Sequence, residues 1–217
     1  MAIIFCIIAS CSKMDAYKEI AGDKELSYPG KIENVVIYSG DGRVIVSGDF
    51  ISDPKVVNCR IYWDLKEKWL DVAVDMSGGP QSLYQEIVLP EKTYNFDIYT
   101  RDSKGNYSVP VHGSGKSYGN KYRASISNRL VKSAALLAGV ATIEWYQLDR
   151  TQGPVETSLE YTNNSNEKVT ITIPLGEQTT TLDGYKIGTD ISYFTRYRPT
   201  PGCIDIFQTG TEQVNIH

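Results

Sequence analysis

Histidine and methionine are scarce in this 217-residue chain, and clusters of basic residues are missing from it. The two histidines, His112 and His217, stand alone, and no Cys/His pair has metal-ligand spacing, so no zinc site is expected. The sequence has no Asp-x-Asp-x-Asp-Gly loop either, which leaves calcium without its usual cradle. Lys and Arg total 22 against 26 Asp and Glu, a formal net charge of −4. A nucleic-acid binder normally shows a basic patch, so no nucleic-acid partner is expected. Serine-hydrolase chemistry needs a base beside the nucleophile. One histidine falls at a domain boundary and the other at the last residue, so no enzyme and no cofactor are expected.

What the chain does contain is a folded protein's share of apolar residues, 41%, with fifteen tyrosines against three methionines. That bias favours strands, because aromatic rings suit a pleated, half-buried surface. The length allows two domains of about 100 residues each. Of the four cysteines, Cys6 and Cys11 sit in the N-terminal segment, and Cys59 and Cys203 fall in different predicted domains. A disulfide needs Cα atoms within about 7 Å, so Cys59 is read as a buried free thiol.

The N-terminus reads as a targeting segment. Ile3 to Ile8 is almost wholly apolar and ends in Ala9-Ser10-Cys11. The run is far shorter than the roughly 20 residues a spanning helix needs. A short apolar core closed by small residues is a secretory pattern. Ile8-Ala9-Ser10-Cys11 resembles a bacterial lipobox, in which the cysteine becomes the lipidated first residue of the mature protein. Residues 1–10 are therefore expected to be a signal peptide and 11–27 a tether to the membrane.

From Tyr28 onward, short alternating apolar runs are separated by turn residues, the signature of a β-sandwich. Seven strands are predicted in residues 28–112: Ile32–Tyr38, Arg43–Asp49, Val57–Asp64, Trp69–Asp75, Leu83–Leu89, Thr93–Thr100 and Tyr107–Val111. Val111 to Lys121, rich in Gly, Ser and Lys, reads as a linker. Residues 113–217 repeat the plan, with strands near Ala124–Lys132, Ala141–Leu148, Val155–Thr162, Val169–Ile173, Gln178–Leu182, Ile191–Tyr197 and Ile204–Thr209. Ala134 to Val140 fits a helix or a buried strand, which periodicity alone does not separate, and it is read as strand-flanking.

Two segments resemble the fibronectin type III fold. Leu89-Pro90 followed by Tyr94-Asn95-Phe96-Asp97-Ile98 is similar to the corner where a tyrosine bonds back to the preceding loop. Asp102-Ser103-Lys104-Gly105-Asn106-Tyr107-Ser108-Val109-Pro110 resembles that family's last hairpin. In the second unit Ile191 stands in the slot of the corner tyrosine. The whole chain resembles surface lipoproteins of the Bacteroidetes that carry a domain of unknown function. The resemblance rests on Cys11, on Tyr28-Pro29-Gly30-Lys31, on Cys59-Arg60-Ile61-Tyr62-Trp63-Asp64 and on Ser125-Ile126-Ser127-Asn128-Arg129. It implies an all-β protein of two tandem sandwiches, anchored by lipid at the outer membrane or cell surface, and no known chemistry.

Parity along the strands selects the candidate site. Val57, Cys59, Ile61 and Trp63 are expected inside, with Arg60, Tyr62 and Asp64 outside. Leu70, Val72 and Val74 are expected inside, leaving Trp69 and Asp71 outside. Tyr94, Phe96 and Ile98 point inward and Asp97 and Tyr99 outward. Trp63 and Trp145 are thus expected to be buried. Arg60, Tyr62, Trp69, Asp71, Asp97 and Tyr99 form one outward patch suited to a sugar ring or a protein surface. The other reading is ordinary cross-strand pairing, or packing on the second domain. Two functions follow: a surface accessory that captures a glycan or glycoprotein, and a spacer that docks another outer-membrane protein. Replacing Cys11 by Ala should abolish incorporation of labelled fatty acid; uptake at the normal level would remove the anchor assignment.

Overall fold

A computed structural model describes residues 28–216. The predicted signal, the tether with Cys6 and Cys11, and His217 lie outside the described residues. The first sandwich uses β1 (Glu33–Asp41), β2 (Arg43–Phe50), β3 (Val56–Trp63), β4 (Lys68–Ala73), β5 (Gln81–Val88), β6 (Lys92–Asp102) and β7 (Val111–Tyr118). Its strand order is β4-β3-β6-β7-β1-β2-β5. The sheet folds over at β7 and β1, whose strand pairing is limited to the short parallel pairs Gly40–Ser117 and Asp41–Tyr118. Two facing sheets result, β4-β3-β6-β7 and β1-β2-β5, around Val44, Val46, Cys59, Ile61, Phe96 and Ile98.

The second sandwich has β8 (Val131–Leu137), β9 (Val140–Trp145), β10 (Pro154–Thr162), β11 (Lys168–Pro174), β12 (Thr179–Leu182), β13 (Ile191–Tyr197), β14 (Phe207–Gln208) and β15 (Glu212–Val214). Its sheets, β12-β9-β8 and β11-β10-β13 with β14 and β15 both on β13, repeat the first unit's order. This internal repetition gives two fibronectin type III-like sandwiches. The expected tyrosine corner is present in the first, where Tyr94 Oη donates to the Pro90 carbonyl at 2.9 Å. The Asp102 carboxylate organises the last hairpin by accepting from the Lys104 and Asn106 amides at 2.9 and 2.8 Å. Cys59 is a buried free thiol, as expected, and burial pushes its pKa up to about 12.

Several expectations need correction. Val111 to Lys121 is not a linker: β7 runs through it to Tyr118, so residues 113–118 belong to the first sandwich. Its glycines serve close packing, since a Cβ at Gly113 or Gly115 would come within 2.8 or 2.4 Å of Ile37. Tyr107 makes only an isolated bridge to Arg101, before Pro110. Asn120–Ser125 forms a short helix, α1, where a strand was expected from Ala124. The ambiguous Ala134 to Val140 stretch is a hairpin, turning at Ala138 and Gly139 with φ of 50° and 83°. The final predicted strand, Ile204–Thr209, is reduced to β14, and β15 beyond it was not expected. A bulge between Val56 and Asn58 breaks parity, so Val56 is buried and Val57 is 43% exposed. Trp145 is buried, its Nε1 donating to Thr180 Oγ1 at 3.0 Å, but Trp63 is only partly buried at the strand's end.

The junction between the sandwiches has its own core of Tyr118, Ile126, Tyr197, Cys203 and Phe207, with Tyr122 against it. Arg43 grips Asp205 across it, Nη2 to Oδ1 at 2.7 Å, and the Asp41 amide donates to Asp205 Oδ2 at 2.8 Å. The Ile204 amide donates to the Ser39 carbonyl at 2.9 Å. Burial alone would raise the Asp205 pKa, but Arg43 and the Asp41 amide outweigh it and hold the carboxyl below its ordinary value. Glu91 adds a second tie, accepting from the Lys121 and Tyr122 amides at 2.7 and 2.9 Å. Asp205→Ala should cost about 1.5–3 kcal/mol, the range for hydrogen bonds to a charged group. Trp63 and Trp69 report one sandwich and Trp145 the other; their denaturant transitions should separate in the variant. Unchanged, coincident transitions would show that Asp205 does not couple them.

Candidate functional site

The six residues proposed from parity come together on the outer face of β4, β3 and β6. Cross-strand register sets Tyr62 opposite Trp69 and Asp97, and Arg60 opposite Asp71 and Tyr99. Arg60 forms a two-pronged ion pair with Asp71, Nε to Oδ1 at 2.7 Å and Nη2 to Oδ2 at 2.6 Å. Its guanidinium also lies 5.9 and 5.8 Å from the rings of Tyr62 and Trp69, within cation–π range. Tyr62 meets Tyr99 edge-on at 5.8 Å and Trp69 at 6.4 Å. Trp69 remains 55% exposed, so the patch is not covered by the second sandwich.

Three further residues complete the arrangement. Tyr107 meets Tyr99 edge-on at 6.0 Å, and the Arg60 guanidinium lies 6.0 Å from its ring. Lys66 Nζ donates to Tyr99 Oη at 2.7 Å and lies 3.4 Å from Asp97 Oδ2, and the tyrosine bond raises its pKa. Tyr62, Lys66, Tyr99 and Tyr107 line a hollow of about 240 Å³. The surface is therefore shallowly dished. His112, read from sequence as standing alone, places Nδ1 2.6 Å from Asp97 Oδ1.

The turn from β3 to β4 positions Lys66 at a cost. Asp64, Leu65 and Lys66 hold φ of 51°, 56° and 66°, and none is glycine. Left-handed backbone costs L-residues roughly 1–2 kcal/mol each. Asp64 offsets part of this by pairing with Lys92 at 2.7 Å and Lys68 at 3.2 Å. Leu65 is left at the tip, 97% exposed, beside the aromatic face. Parity from the sequence could place Tyr62 and Trp69, but not Lys66, because three successive left-handed residues carry no residue-type signal. Tyr107 was within reach, since the last hairpin returns the chain opposite Arg101.

The carboxylates Asp64, Asp71, Asp75 and Asp97 do not cluster. Asp71 binds Arg60, Asp64 binds Lys92 and Lys68, and Asp97 binds Lys66 and His112. Asp75 accepts from the Ser77 amide at 3.0 Å. Among the described residues no group of acidic, His or Cys side chains is arranged to hold a metal. Gly115-Lys116-Ser117-Tyr118-Gly119 has the spacing of a nucleophile elbow. Ser117 is buried within β7, however, and its hydroxyl donates to the Leu89 carbonyl at 2.7 Å.

The second sandwich supplies a comparison inside the same chain. On its equivalent face, β11, β10 and β13 present Thr170, Ser158, Glu160, Ser192 and Arg196, with Phe194 as the one aromatic. That face is built without an aromatic platform, so the sheet plan does not demand one.

A family model described as a domain of unknown function matches residues 11–207. No curated protein matches the chain. Among solved structures, the chain is similar to the FN1–FN3 domains of chicken CNTN1, at 12% identity and a TM-score of 0.43, covering 87% of this chain and 68% of that one. It is also similar to a two-domain fibronectin type III segment of chicken tenascin, at 11% identity and a TM-score of 0.33, covering 85% and 100% respectively.

Asp71 gives the site a pH signature. Hydrogen bonds from Arg60 lower its pKa, with burial opposing. A carboxyl depressed on folding stabilises the folded state above its ordinary value of 3.8, and that contribution is lost as pH falls through the lowered one. By carboxyl-carbon NMR, Asp71 should titrate below the ordinary value, and return to it in Arg60→Met. Ordinary titration in the unaltered chain would mean that the pair does not persist in solution.

Proposed function

The chain belongs to the DUF4998 family, and from that footing we propose that it is a non-catalytic surface module capturing a glycan or glycoprotein through its first sandwich. The observation that carries this reading is the exposed aromatic surface of Tyr62, Trp69, Tyr99 and Tyr107 around a hollow of about 240 Å³. Aromatic faces cover the apolar side of a sugar ring, and flanking polar groups meet its hydroxyls. Arg60 and Asp71 hold one another in place, so the polar rim is preorganised, which lowers the ordering cost of binding. A contiguous exposed aromatic cluster is costly to solubility and usually marks a contact site. The contrast with the second sandwich supports the same reading, because a purely structural face needs no such rings.

The same proposal places the module at the cell surface, held by lipid on Cys11 with residues 12–27 as its tether. Catalysis is disfavoured by chemistry. Each carboxylate near the site has its own cation, and the His112 side chain is 71% exposed on an open sheet face. A second reading, a spacer that docks another outer-membrane protein, draws on the packed junction, which makes the pair of sandwiches a suitable stand-off.

Trp69→Ala separates the two. If the patch is the working surface, glycan-array binding by the full chain should weaken by about 1–3 kcal/mol, as for a truncated aromatic anchor. Thermal stability should change by no more than about 0.5 kcal/mol, as for most surface substitutions. Lost stability with binding intact would make the patch structural and leave the spacer reading.

A further inference from the structure

Near the hollow three cations face two carboxylates, and the third, Arg101, acts on Asp71 only through its field, behind Arg60. Arg60 and Lys66 are matched by Asp71 and Asp97. Arg101 is on the same face, two residues beyond Tyr99 on β6 and across from Asn58 on β3. Among the described residues it makes no ion pair and no side-chain hydrogen bond. Its guanidinium lies 5.5 Å from the Tyr107 ring, so Tyr107 has Arg60 and Arg101 both within 6.0 Å. Arg101 Nε is buried without a partner, and so is Asn58 Oδ1 on the neighbouring strand. A buried donor or acceptor left unpaired ordinarily costs about 1–3 kcal/mol. Arg101 adjoins the hollow through Tyr107, and Asn58 stands across from it on β3.

The candidates elsewhere carry less. The cavity lined by Leu136, Tyr185, Ile187 and Asp190 has a volume of about 420 Å³, but nothing in it commits it to one ligand. Arg129, fully buried in the second sandwich, spends its donors on the carbonyls of Tyr146, Pro174 and Glu177.

Resting on the glycan reading above, we propose that the ligand is an acidic sugar, a ring whose carboxylate or sulfate ester is held by Arg101. The ring lies over the hollow between Tyr62, Tyr99 and Tyr107, and the anionic substituent points toward the last hairpin. The planar guanidinium fork matches a carboxylate with two parallel N–H···O bonds, and the aromatic wall excludes water from them. Asp71 and Asp97 are not free to repel the anion at full strength, because each is already neutralised. Arg101 is then the specificity-determining residue, while the aromatic rings supply affinity common to all sugars.

The test is an array of uronate oligosaccharides, each beside its methyl ester, with sulfated and neutral galactans, probed with the full chain. Methyl esterification removes the charge and keeps ring and linkage. Acidic probes should bind about tenfold or more tighter than their esters, the scale of a hydrogen bond to a charged group. Arg101→Met should erase that preference without weakening binding of the esters, and Trp69→Ala should weaken both series. Preference for uronates over sulfated galactans would assign the carboxylate as the anion, and the reverse order the sulfate. Equal binding of acids and esters overturns the acidic-sugar proposal and leaves glycan capture standing. Binding of no sugar in any series overturns both.

Discussion

Both faces of the first sandwich depend on one register, that of β3 against β6. With Ile61 opposite Ile98 and Cys59 opposite Thr100, the inner face is a continuous buried layer. The same register sets Arg60 opposite Tyr99 and Tyr62 opposite Asp97 on the outside. Because side chains alternate with a period of two, a slip by one residue would exchange these faces entirely. The bulge between Val56 and Asn58 confines its irregularity to the strand's first residues, before the site begins. The cost of misplacing the core thus also protects the geometry of the aromatic patch. Core and surface are read from one alignment, and neither can drift alone.

Much of this was legible in the residues. Alternation gave the inward and outward sets of β4 and β6, and the Leu89-Pro90 to Tyr94 segment gave the tyrosine corner. Reading failed where one residue type serves two purposes. Gly113 and Gly115 look like flexible linker residues, yet their missing side chains are what lets Ile37 pack against β7. Trp63 obeys parity but stands at the end of its strand, where the facing sheet no longer covers it. The ion pairs of Lys66 and His112 with Asp97 join elements distant in sequence, and no local pattern announces them. The six patch residues were visible as a face; the hollow they help to line was not.

The two units divide the work differently although they share a plan. In the second, Arg129 is enclosed by backbone carbonyls and lies 5.5 Å from the Trp145 ring, tying the start of the domain to its far sheet. Its outer face is hydroxyl-rich and its strongest apolar contacts outside the core go to the junction, through Tyr197, Cys203 and Phe207. The second unit buttresses; the first presents. A packed junction matters to such an arrangement because it restrains the direction in which the aromatic face looks.

The short parallel contact of β1 with β7 also has a mechanical meaning. These strands are the first and last of their sandwich, and they run side by side in the same direction. A pull between residue 28 and the second sandwich would drag them in opposite senses along their length. The bonds joining Gly40–Asp41 to Ser117–Tyr118, and the Lys116 amide to Ser39 Oγ at 3.0 Å, are then loaded together in shear and do not open one after another like a zipper. Strand direction alone gives the first sandwich its grip against such a pull.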